Sequence, residues 1–146
     1  MNDLDAITAR VVFATSAPEL LDAAFDAFEV IRQVARTCED RTQELFAAFI
    51  LAAGAAVEGR NALNDAPSLP HGRRGPAFAP AVSHAPDVDR VADELAELAA
   101  PLARRLYEEA AQVDLAADRD ACERATRAAA DIYQLLGRDT DEATTR

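Results

Sequence analysis

The chain has no lysine and no tryptophan, few aromatics, and only five glycines in 146 residues. Each scarcity removes a class of structure or partner. No run alternates β-branched with polar residues, so no strand is expected. An alanine-rich, glycine-poor composition argues for an all-α fold. All 15 basic residues are arginine and the net charge is −11, so nucleic acid and anionic membranes are excluded as partners, because neither attracts an acidic surface. GC-rich codon usage accounts for arginine replacing lysine. The N-terminus carries Asp3 and Asp5 where a signal peptide would carry positive charge. A cytoplasmic protein with two reduced cysteines is therefore expected.

Catalytic inventories are also thin. The two histidines, His71 and His84, sit in a proline-rich stretch and not in Glu-x-x-His motifs, which removes a carboxylate-bridged di-iron bundle. Two distant cysteines do not make a structural zinc site. No glycine-rich phosphate loop is present. No metal and no cofactor are expected.

What the chain does have is helical periodicity. Ser16-Ala-Pro-Glu19 is a helix start, with a serine N-cap and a glutamate three residues on. From there Leu21, Ala24, Phe28, Ile31, Ala35, Cys38, Thr42, Leu45, Phe49, Ala52, Ala56, Gly59 and Leu63 recur at alternating steps of three and four, the seam of a helix that faces another helix. The reading is one long arm over 17–64, continuous or kinked, with 37–40 as the place where it would break. Asp40 and Gln43 resemble a second capping box there. A short helix over 3–15 precedes this arm.

Leu45 to Val57 is apolar on every side, which requires cover on every side. It falls short of the roughly 20 residues that span a bilayer, so no membrane role is expected. Phe46, Phe49, Ala52 and Ala56 are the expected oligomer interface. The fold expected is a bundle of about four helices, within one chain or across a homodimer.

The second arm runs over 86–137. Its stripe is Val88, Val91, Leu95, Leu98, Leu102, Leu106, Ala110, Val113 and Ala117, with Pro101 inside and a break expected near 117–120. Pro101 should kink it. Ala121, Ala125, Ala128, Ile132 and Leu135 continue to Gly137, and 138–146 is a polar tail. The two arms are expected to be antiparallel, joined by the proline-rich connection 65–85. In that connection His71, Arg73 and Arg74 suit an anion or an acidic partner surface, and Phe78 offers an apolar anchor.

Three further clusters stand out. Glu19, Asp22, Asp26 and Glu29 share one helix face, read as a solvated face rather than a cation site. Glu94 and Glu97, with Glu19 and Asp22, suggest by analogy a magnesium site like that of the helical nucleotide pyrophosphatases, whose fuller acidic signature is missing. Arg104 and Arg105 face Glu108 and Glu109, as a surface ion-pair cluster does. The functional expectation is a non-catalytic helical interaction protein that self-associates and recruits a protein partner. The alternative is a small-molecule pocket lined by Phe46, Phe49 and Tyr107, or the magnesium enzyme, with the proline-rich segment as lid.

Overall fold

The computed structural model describes residues 3–70 and 87–137. Among them every regular element is a helix, and five α-helices pack against one another: α1 (Asp3–Phe13), α2 (Ala17–Cys38), α3 (Phe46–Asn64), α4 (Val88–Gln112) and α5 (Ala116–Leu136). The segments expected to be a proline-rich connection and a polar tail fall mostly outside the described residues.

The first long arm is not continuous. α2 ends at Cys38, a 3-10 turn spans Glu39–Arg41, and α3 starts at Phe46. Thr42 Oγ1 accepts from the Leu45 N–H, 3.3 Å away, so a threonine closes the turn ahead of α3, and the cap expected from Asp40 does not form. α3 then folds back along α2. The connection 39–45 is short, and Phe28, well back along α2, meets Gly59, well along α3, so the two helices run antiparallel; Glu29 pairs with Arg60 at the same level. The polar stretch RTCEDRTQE was the signal, since a helix turn with one apolar residue has little to bury. It contains no glycine or proline, and a 3-10 turn needs neither.

The second arm is also a hairpin. α4 runs unbroken through Pro101 to Gln112, and α5 begins at Ala116, earlier than the expected break. Ala96 lies beside Gly137 and Glu109 near Cys122, so α4 and α5 are antiparallel. α5 also packs along α3, and α1 lies against α2 and α4. Leu95, Leu98, Leu102 and Leu106 of α4, Ile31 and Phe28 of α2, and Ile132 of α5 are buried in one continuous core. At the far end, Gly137 stops α5 at φ −87°, not in a left-handed conformation. Its N–H donates to the Tyr133 carbonyl at 2.8 Å, and a Cβ there would sit 2.7 Å from that same oxygen.

Two polar anchors hold the short pieces in place. Arg105 of α4 donates to the carbonyls of Val12 and Ala14 at 2.7 and 2.9 Å, satisfying acceptors that the end of α1 leaves open. The expected ion pair with Glu108 is present at 3.9 Å, but the shorter bonds of the Arg105 guanidinium go to the end of α1. Asp118, 2% exposed, accepts from Ser68 N–H at 3.0 Å and from Ser68 Oγ. Asp118, in the first turn of α5, thus pins the turn after α3 to that helix.

Candidate interaction surface

α3 is apolar on nearly all sides, but the chain covers only part of it. Phe49, Ala52 and Ala56 point inward and are fully buried, while Ala53 and Ala55 are nearly so. Three of the four expected interface residues therefore present no surface to a second molecule. The reason is the hairpin, which lays α2 and α5 over the face that the heptad seam defines. Phe46 is the exception at 44% exposure. It belongs to a different strip of α3, with Ala47, Ile50 (41%), Leu51 (57%) and Gly54 all exposed.

This outward strip is the one place among the described residues where large apolar side chains at helical spacing face solvent together. Phe13, Tyr107 and Leu115 are also exposed, each on a different element, which is ordinary for a protein surface. Beside the strip runs an open groove of about 570 Å³ between α3 and α5, floored by Gly54 and Ala55 and walled by Leu51, Leu135, Asp131 and Gln134. Gly54 has nothing within 4 Å of where a Cβ would stand. Farther along α3 the strip turns polar at Glu58, Asn61 and Asn64. The first turn of α3 carries no acidic residue, and no side chain caps its N-terminus.

Sequence periodicity missed Ile50, Leu51 and Gly54. Where every position of a helix is apolar, no seam stands out from its surroundings. The steps Ala47, Leu51, Gly54, Glu58 do run parallel to the seam, two residues out of phase with Leu45, Phe49, Ala52 and Ala56, and that offset was the available signal. α3 also continues to Asn64, beyond Val57. Among the described residues it is the one helix whose length and composition would allow a membrane span, with 44% of its apolar window buried inside the chain.

The carboxylate line on α2 has a different environment from either expectation. Arg10 of α1 reaches Asp22 at 3.2 Å and Asp26 at 2.8 Å, and Asp26 is buried. Glu29 accepts two bonds from Arg32 at 3.0 Å and pairs with Arg60 of α3. Hydrogen bonds from Arg32, and then from Arg60, hold the Glu29 carboxyl below its ordinary range against the opposing effect of burial. Asp22, Asp26 and Glu29 are thus neutralised by arginines, two of them from neighbouring helices, and work as a docking seam, while Glu19 is exposed as a solvated face requires. Glu94 pairs with Arg90 at 3.5 Å, while Glu97 is exposed. No group of three potential metal ligands occurs among the described residues.

The pocket expected from Phe46, Phe49 and Tyr107 does not form. Phe49 is in the core, Phe46 edges a cleft at the Glu39–Gln43 turn, and Tyr107 lines an open groove between α4 and α5 with Arg119, Glu123 and Arg127. Cys38 and Cys122 are free thiols buried on α2 and α5. Burial raises both, and the carboxylates of Glu109, Asp118 and Glu123 help push Cys122 to about 12. Neither is a nucleophile at neutral pH. His71, Arg73, Arg74 and Phe78 lie outside the described residues. Comparison with protein-family models, with curated proteins and with solved structures returns no match.

Proposed function

We propose that this chain is a non-catalytic helical interaction protein of the cytoplasm that self-associates through the outward face of α3 and recruits a second protein. The observation that carries the reading is the exposed strip Phe46, Ala47, Ile50, Leu51 and Gly54 on a helix whose other faces are packed. Contiguous exposed apolar residues on one element mark contact sites. The fold that goes with this reading is a bundle of α2, α3, α5 and α4, carrying α1 in the seam between α2 and α4. A second copy supplies the cover that α3 lacks. The arginines of the 71–74 stretch and Phe78 serve the other partner, whose recognition chemistry is then acidic with an apolar anchor.

Sedimentation velocity over a concentration series tests the self-association. The expected result is a weight-average mass that rises above the 15.6 kDa of one chain. A net charge of −11 opposes the approach of two copies, so added salt should strengthen association by screening that repulsion. A single 15.6 kDa species at about 200 µM, in the range where even weak dimers form, would overturn the reading.

A further inference from the structure

Gly54 stands at an exposed mid-helix position with open space over it. A glycine there weakens α3 relative to alanine, and no atom of its own chain needs the missing Cβ. Gly59 makes the contrast, since the Phe28 ring occupies the place where its Cβ would stand. Resting on the self-association reading, we infer that a second copy of this chain crosses antiparallel over Gly54, with Leu51 of each copy seated in the groove above Gly54 of the other.

Three observations fit a second copy in that register. The first is shape. A twofold contact requires each copy to carry both the projection and the notch. Leu51 projects at 57% exposure one turn from the Gly54 notch on the same face. An axis passing between residues 52 and 53 sets Leu51 opposite Gly54, Ile50 opposite Ala55, and Ala47 opposite Glu58. Each large side chain then meets a small one. A parallel pair would set Leu51 against Leu51 and leave the two glycine notches empty.

The second is charge. In the antiparallel register each Glu58 lies over the first turn of the partner's α3, which has neither an acidic residue nor a side-chain cap. A carboxylate is favoured beside such free amides. In a parallel pair Glu58 would face Glu58. The third is area. Phe46, Ile50 and Leu51 leave on the order of 250 Å² uncovered, and the groove walls of α5 add to it. That is below the roughly 800 Å² per partner of a standard interface. The pair is therefore expected to be weak and reversible.

Sedimentation equilibrium and thermal melts of wild type and Gly54→Ala test this together. The Cβ is expected to raise the melting temperature of the dilute chain and to weaken association by about tenfold, as an overfilled contact does. Glu58→Gln is expected to weaken it by about two- to fivefold. A mixture of Leu51→Cys and Gly54→Cys chains should form an intermolecular disulfide faster than either chain alone. A wild type that associates while Gly54→Ala associates equally well or better overturns the crossing and leaves the self-association reading standing. So does Leu51→Cys cross-linking fastest to itself. A wild type that stays monomeric overturns both, and flotation of that monomer with phosphatidylcholine vesicles would assign the strip to a membrane surface instead.

Discussion

Gly54 and Gly59 sit five residues apart on α3 and have opposite surroundings. The Phe28 ring lies 2.5 Å from where the Gly59 Cβ would be, and nothing lies within 4 Å of the corresponding point at Gly54. The same contrast holds for their neighbours. Phe49, Ala52 and Ala56 are sealed by α2 and α5, while Phe46, Ile50 and Leu51 are about half exposed. Both faces are greasy, so composition does not tell them apart. The lesson is that hydrophobicity marks what must be covered, and only topology says what covers it.

The comparison breaks most visibly at Phe49. It is fully buried, and Phe49→Ala is expected to cost about 3–5 kcal/mol in urea unfolding, the transfer loss plus the cavity. If the loss were no greater than that of an exposed residue, the inward face would not be the one described. Gly59→Ala comes next. Its Cβ would stand 2.5 Å from the ring of the fully buried Phe28, which would have to shift, so a loss of about 1–3 kcal/mol is expected. Phe28→Leu in the same chain should recover part of that loss, because the two positions share one contact. A thermal or urea series over the two single variants and the double variant measures the coupling.

The all-α class and most core positions were legible because they rest on periodicity. Leu95, Leu98, Leu102 and Leu106 repeat at three and four and are all buried. The hairpins were less legible. At 39–45 the break is made by a 3-10 turn and a threonine hydroxyl, chemistry that competes poorly for attention with an apolar repeat running straight through it. Arg105 shows a further limit. Its local acidic neighbours satisfied it on paper, yet its guanidinium is engaged by carbonyls more than 90 residues earlier in the chain. Long-range polar pairing leaves no periodic trace. Three of the expected interface residues, Phe49, Ala52 and Ala56, are buried for a related reason: the fold's own hairpin covers them, so the strip left exposed with Phe46 is out of phase with the seam.

The polar border of the inward face sharpens the contrast with respect to pH. Glu29, held by Arg32 and Arg60, has a carboxyl depressed below the ordinary glutamate value of 4.5. A depressed folded value means the stabilisation is fully present above about 4.5 and is lost as pH falls through the folded value. Glu29→Gln is expected to cost about 1–2 kcal/mol at pH 7. The gap from wild type should close as unfolding is repeated below pH 4.5. Glu58, at the outer border, is exposed, and Glu58→Gln should cost less at pH 7 in the dilute chain than Glu29→Gln does. Equal losses for the two variants would remove the distinction between the borders.

The smallest expected effect on stability is at Leu51, and it is the most informative about function. Leu51 is 57% exposed, so in the dilute chain Leu51→Ser gives up little burial and should unfold within about 0.5 kcal/mol of wild type. In concentrated solution the two chains should diverge, because the same substitution removes the projection that a second copy receives. Unfolding measured at low and at high protein concentration separates these outcomes, since association adds stability only where the partner is abundant. A wild type whose melting temperature rises with concentration, beside a Leu51→Ser chain whose melting temperature does not, would place the contact on the outer strip of α3. If both rise equally, the outer strip has no part in the contact. The partner surface would then have to be sought on the other exposed side chains, Tyr107 in the α4–α5 groove first among them.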